Sequence, residues 1–144
     1  MSMRRKTAVL ATVVLASSGV VAVAAPAYAS SPCGSGYSLI DVYNINTKSG
    51  VKRGSLELYY SSSSGKNCAL AYGVGSTYGT TTWKVVKIAK HTDSLWTVNQ
   101  GNFAYYAGPV YVSAAGQCID LEAQIDNTTQ TDNGYALETN VHCG

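Results

Sequence analysis

The sequence predicts an all-β fold, a small antiparallel β-sandwich or barrel of about seven or eight strands tied by two disulfides. Three observations lead there. Gly, Ser, Thr, Tyr and Val dominate, and no window repeats apolar residues at the three-and-four spacing of an amphipathic helix. Short runs of β-branched and aromatic residues recur about every ten positions, with turn formers between them. The four cysteines, Cys33, Cys68, Cys118 and Cys143, all fall beyond an export-type N-terminus, where an oxidising milieu favours pairing.

That N-terminus begins with MSMRRK, continues with an apolar run at 7–25 and closes with Pro26-Ala27-Tyr28-Ala29. A basic start, an apolar stretch and small residues at −3 and −1 are the pattern of a secretory signal peptide cut after Ala29. The run is almost long enough to cross a bilayer, so an uncleaved anchor is the competing reading, which Pro26 and the Ala-x-Ala site oppose. Arg4-Arg5 suggests twin-arginine export, yet Lys6-Thr7-Ala8 follows where that signal prefers a large apolar residue. General secretion is the expectation. The organisation expected is a signal peptide at 1–29 and a single disulfide-bridged β domain at 30–144, with no membrane contact after cleavage. A domain of this size buries roughly 65% of the surface its unfolded chain exposes, enough for one core.

Strands are expected at 38–45, 55–61, 68–73, 81–90, 95–99, 108–114, 117–125 and 135–142. In GSLELYYS, Leu56, Leu58 and Tyr60 share one face while Ser55, Glu57, Tyr59 and Ser61 share the other, so one side packs and the other is wet. The tip SSSSGKN then turns the chain, with Gly65 and Asn67 suited to positive φ, and delivers Cys68 to the return strand. Gly73 to Gly79 reads as a flexible connection. In TTWKVVKIAK, Trp83 and Val85 fall out of phase with Val86 and Ile88, which predicts a bulge or a strand buried on both sides. Gly108-Pro109 marks a strand edge, where proline wastes no ladder donor, and Gly116 permits the tight turn before Cys118. Along QCIDLEAQI, Ile119, Leu121, Ala123 and Ile125 point inward, and Cys118, Asp120, Glu122 and Gln124 point out. To reach a partner from that outer face, Cys118 needs a bulge or an edge position.

Four cysteines allow three pairings. The sequential set, Cys33–Cys68 with Cys118–Cys143, closes loops worth roughly 3.5–4 kcal/mol each by chain entropy, and the nested set about 4–5 each. Sequential pairing is preferred because short loops close first and meander-like folds keep sequence neighbours adjacent. No two cysteines lie close enough together for a zinc site, so no metal is expected.

Loss of Arg4, Arg5 and Lys6 with the signal leaves seven Lys/Arg against eight Asp/Glu, a net charge near −1. The concentrated basic surface that nucleic-acid binding requires is missing, so no nucleic acid is expected as partner. The bases lie between Lys48 and Lys90, and five of the eight acids between Asp120 and Glu138, a partition of the surface that carries little functional meaning.

Several constellations suggest chemistry. Asp120 and Glu122, two residues apart on a strand, hold carboxyl groups about 5–7 Å apart, near the separation of a retaining glycosidase. Such a site needs one acid with a raised pKa in a cleft, and nothing in the sequence buries only one of them, so a wet strand face is the reading adopted. His91-Thr92-Asp93-Ser94 has the residue types of a catalytic triad, but triad members meet from separate elements, so it reads as a loop. The oxygen-rich stretch 126–134 lacks the alternating spacing of a calcium loop and reads as a turn. Asn127-Thr128-Thr129 matches a glycosylation acceptor, a common pattern that suggests exposure. No catalytic residue and no cofactor are expected. Ten tyrosines remain after the signal, beside two tryptophans and one phenylalanine. Tyrosines in that proportion imply rings half in water, and Tyr59, Tyr105, Tyr106 and Tyr111, with Tyr72 and Tyr78, are the candidate binding surface.

The CGSGY at 33–37, the GKNC at 65–68 and above all YAGPVY-x3-AGQCID at 106–120 resemble spore-associated protein A, a family of small secreted proteins of filamentous, Streptomyces-like actinomycetes. These motifs flank three of the four cysteines, and the resemblance spans nearly all of 30–144. After Asp120 the chain has Leu121-Glu122-Ala123 instead of a Trp/Gly-rich continuation. The resemblance implies export and association with the spore or aerial-cell surface, and it transfers no catalytic residue. The function expected is that of a secreted, noncatalytic protein at the spore or cell surface, with cell-wall polysaccharide or spore-surface components as partners. Two alternatives accompany it: a carbohydrate- or wall-binding module using the tyrosines, and a secreted hydrolase inhibitor presenting Lys66 from SSSSGKNC. Oligomeric state is left open.

Overall fold

Strands form where β-branched and aromatic residues alternate with polar ones, and the computed structural model, which describes residues 31–144, contains eight among those residues. They are β1 (Ser38–Asn46), β2 (Lys52–Ser61), β3 (Lys66–Gly73), β4 (Thr82–Lys90), β5 (Thr97–Phe103), β6 (Tyr106–Ser113), β7 (Ile119–Ile125) and β8 (Gly134–Val141). The signal-peptide reading of 1–29 lies outside the described residues. All ladders are antiparallel, and the strands form one sheet in the order β5-β4-β7-β8-β1-β2-β3-β6.

The sheet curls into a nearly closed barrel, the second of the two architectures expected. Its end strands β5 and β6 lie against each other, and Asn99 Oδ1 accepts the Gly108 N–H at 2.8 Å. Side chain to backbone contact thus stands in for a ladder at that seam, next to Pro109 in the register shift between β3 and β6. A second loose seam separates β1 from β8, which share one backbone pairing, Asn46 with Tyr135.

Alternate residues of each strand fill the interior. Ile45, Leu56, Leu58, Ala69, Ala71, Val86, Ile88, Ile119, Leu121, Ala123 and Ile125 are fully buried in one cluster. Each large aliphatic among them contributes about 1.5–3 kcal/mol by leaving water. The inward face expected for β7 is the one observed. Gly54 belongs to this interior, because a Cβ there would collide with the Tyr72 carbonyl and Ile125 Cδ1.

Strand β4 resolves the phase conflict in its sequence. It pairs without interruption to β5 and β7, so there is no bulge, and it is buried on both sides. Thr82, Lys84, Val86 and Ile88 face inward, while Val85 and Ala89 are covered on the outer face. A lysine is therefore among the most buried side chains of the molecule.

Other expectations need correction. The fifth strand was expected at 95–99 but runs over Thr97–Phe103, since the ladder to β4 imposes extended backbone on the polar Asn99-Gln100-Gly101-Asn102, whereas Leu95 is 84% exposed. The 73–79 connection is pinned, not flexible. It holds a 3-10 turn (Gly75–Thr77), and buried Thr77 donates from Oγ1 to the Arg53 carbonyl at 2.5 Å and accepts from the Val74 N–H at 2.9 Å. Asn67 does not sit in the hairpin turn. Gly65 supplies the positive φ at 66°, and Asn67 is a buried strand residue.

Both disulfides follow the sequential pairing, Cys33–Cys68 and Cys118–Cys143. The bulge Cys118 requires is present: β7 and β8 shift register between Ile119 and Leu121, and Asn140 and His142 adopt positive φ beside it.

Candidate functional site

Of the candidate tyrosines, Tyr59, Tyr72, Tyr106 and Tyr111 gather on the outer face of β2, β3 and β6, while Tyr78 and Tyr105 meet in the connections beside it. Register brings Tyr59, Cys68 and Tyr111 side by side across three strands, with Tyr72 beside Tyr106 further along. The segment before β1 folds over this face because Cys33 is bonded to Cys68. A satellite cluster results, with Cys33, Cys68 and Leu70 buried beneath Tyr37, Tyr59, Tyr72 and Tyr106. Tyrosine suits the position, since the ring covers the disulfide while the hydroxyl meets water or a polar partner.

The rings associate in pairs. Tyr37 and Tyr111 meet edge to face at 5.7 Å, Tyr72 and Tyr106 are tilted at 5.0 Å, and Tyr78 and Tyr105 meet edge to face at 5.1 Å. Of the four residues expected as a surface, Tyr105 and Tyr111 are exposed, while Tyr59 and Tyr106 are half-buried. Tyr111 donates to the Cys33 carbonyl at 3.1 Å, and Tyr59 donates to Glu57 Oε2 at 2.6 Å. Burial pushes Tyr59 and Tyr72 up to about 12, and the Glu57 carboxylate adds to both shifts. These phenols remain neutral donors at any physiological pH.

Asp120 and Glu122 lie on the outer face of β7, as their alternation requires, but each has a structural partner. Asp120 Oδ1 accepts from the Asn140 N–H at 2.8 Å and lies 2.8 Å from His91 Nδ1. Glu122 pairs with Lys87 at 2.7 Å across β4 and β7. His91 is thereby tied to Asp120, and Asp93 sits in the following turn, its N–H donating to the Lys90 carbonyl.

The expected oxygen-rich turn is stitched by its own polar groups and by those of β2 and β7. At 126–134, Asn127 Oδ1 accepts from the Thr131 N–H at 3.0 Å, Arg53 bonds Asp132 at 3.0 Å, and buried Asp126 accepts from Gln124 at 2.7 Å. Among the described residues, no three His, Cys, Asp or Glu side chains gather as metal ligands. Lys66 opens β3 and is paired on one side with Ser61 and on the other with Ser113. Its backbone is committed to two ladders.

The barrel's two ends differ. At one, Lys84 Nζ donates to the Phe103 carbonyl at 2.6 Å, to Thr82 Oγ1 at 2.9 Å and to the Thr80 carbonyl at 3.2 Å, which satisfies all three ammonium protons. Burial holds its pKa below the ordinary 10.5. The alternation Thr82-Lys84-Val86-Ile88 was the available signal, hidden because a lysine at an inward position is rare.

At the other end, near Cys118–Cys143, a cleft of about 300 Å³ is lined by Ile40, Tyr60, Asn67, Ala114, Gly116, His142 and Gly144. It lies where β1 and β8 diverge. There His142 Nε2 is 3.2 Å from both Asp41 Oδ2 and the Tyr43 hydroxyl. The Val42 N–H, Tyr43 and His142 together hold the Asp41 carboxyl below its ordinary range, and burial followed by the Asp41 contact raises Tyr43. About a hundred residues separate Asp41 from His142, so no local pattern announces the cluster.

No family model matches the chain, and no solved structure matches it. Among curated proteins it is similar to Spore-associated protein A of Streptomyces coelicolor, with 35% identity over 95 residues, 66% of this chain. The match spans about 57% of the length of that relative. This similarity supports the kinship that the cysteine-flanking motifs imply: over the matched residues the chain is a homologue of spore-associated protein A.

Proposed function

We propose that the chain is an exported, noncatalytic protein that resides at the spore or aerial-cell surface and holds there through the outer face of β2, β3 and β6. The observation that carries this reading is the similarity to a relative named for its association with spores. Two disulfides suit an extracellular location. The paired tyrosines suit an amphipathic contact, since Tyr105 and Tyr111 offer both an apolar ring and a hydroxyl. Wall polysaccharide is a partner class that such a face fits, and the three ring pairs are what favour it.

The test is to mix labelled protein with washed spores and with vegetative hyphae of Streptomyces coelicolor, and to compare wild type with a Tyr105→Ala/Tyr111→Ala double variant. Retention on spores, reduced in the folded variant, is expected. Protein that stays in the supernatant with both cell types refutes surface association. Retention equal in wild type and variant places the contact elsewhere on the domain.

A further inference from the structure

The cleft near Cys118–Cys143 holds a buried polar group left unused. Asn67 is 3% exposed, yet its carboxamide has no hydrogen-bond partner among the described residues and borders the cleft. No buried side-chain nitrogen or oxygen of the described residues is both unpartnered and sealed from solvent, so that amide is open to the cleft. A carboxamide that faces a cleft with no protein partner keeps its donor and acceptor for whatever occupies the cleft. Such groups mark places where a ligand completes the bonding.

The surroundings limit what that ligand is. Tyr60, Ile40 and Ala114 make the walls largely apolar. The basic side chain on the cleft, His142, is already faced by Asp41 at 3.2 Å, and the main chain of Gly144 completes the rim. The ring nitrogen Nδ1 of His142 has no partner among the described residues, while Nε2 is held by Asp41 and Tyr43. A volume of about 300 Å³ is at the small end of ligand sites. A carboxamide is matched best by another amide, which returns both a donor and an acceptor.

We propose that this mouth of the barrel is a binding site for a small neutral ligand carrying a secondary acetamide group, its amide paired with Asn67, its methyl against Ile40 and Ala114, and the body of the molecule on Tyr60. The site stands apart from the tyrosine face and does not depend on the surface reading. Two sources supply this chemistry, an N-acetylated sugar and an acetylated peptide end, and the experiment separates them.

Amide NMR of the full disulfide-bonded protein is recorded during titration with N-acetylglucosamine, with N-acetylalaninamide and with glucose, which has no acetamide. Saturable shifts at Asn67, Ala114 and His142 with an acetamide probe, and none with glucose, are the expected result. A response to the sugar alone or to the dipeptide analogue alone assigns the source, and a response to both assigns the acetamide itself. Silence with both acetamide probes, or an equal response to glucose, overturns the proposal. Asn67→Asp, checked for folding by its melt, is expected to weaken binding about tenfold by removing the amide donor. Ile40→Asp, at a position 41% exposed on β1 and likewise checked for folding by its melt, is expected to weaken it as well. Unchanged affinity in both variants also overturns the proposal.

Discussion

The two mouths of the barrel each bury a polar side chain, and they treat it in opposite ways. At one, Lys84 meets three acceptors drawn from its own strand and from the ends of neighbouring segments. At the other, Asn67 is almost as deeply buried but has no described partner, and a cleft stands in front of it. The difference lies in what closes each end. The β4–β5 ladder runs to Phe103 and places its carbonyl over Lys84, whereas β1 and β8 separate and leave the other end to a histidine, a disulfide and loops. Burial alone does not make a polar group structural; the bonds that answer it do.

The sharpest way to break this comparison is at Lys84. Lys84→Ala removes a long buried stem and leaves two backbone carbonyls unanswered, and about 4 kcal/mol of stability should be lost in denaturant unfolding. Lys84→Met, which keeps the volume, should cost less. Equal melts for wild type and Lys84→Ala would mean the ammonium closes nothing. Next in size is the open mouth, where Cys118→Ala/Cys143→Ala should cost about 3.5 kcal/mol by loop entropy. There the disulfide does what hydrogen bonds do at the closed end.

A smaller effect separates the ends by pH. Because burial lowers the Lys84 pKa in the folded state, the unfolded chain binds the extra proton between that lowered value and 10.5. Stability of wild type relative to Lys84→Met should therefore rise as pH increases through that window, and a flat difference would refute it. The tyrosine face gives the opposite sign: Tyr59 and Tyr72, pushed up to about 12, retain protons that the unfolded chain gives up near 10, so their contribution is lost as pH climbs from 10 towards 12. Absorbance titration of the phenolates should show these rings ionising late. Smallest of all, Asn67→Ala should stay within about 1 kcal/mol of wild type, since no hydrogen bond is lost.

Much of the fold was legible in local pattern. The face of β7 and the turn at Gly65 follow from alternation and turn chemistry, Cys118 called for the bulge or edge position of which the bulge is observed, and the sequential disulfides were the preferred one of three open pairings. Strand β5 was misplaced because Asn99-Gln100-Gly101-Asn102 carries no strand signal of its own and is extended only by pairing with β4. The candidate site was legible in part: the tyrosines stood out in composition, but their edge-to-face pairing and the Cys33–Cys68 bond beneath them depend on a three-strand register.

By itself the sequence determined the all-β class and the strand alternation, because periodicity and turn residues act over short distances, while it left three cysteine pairings open. Only the tertiary structure decided that the sheet curls into a barrel, that Lys84 plugs one end and that Asp41, Tyr43 and His142 meet at the other. Those outcomes depend on which residues far apart in the chain come to face one another, and on whether the groups that meet there satisfy each other's hydrogen bonds.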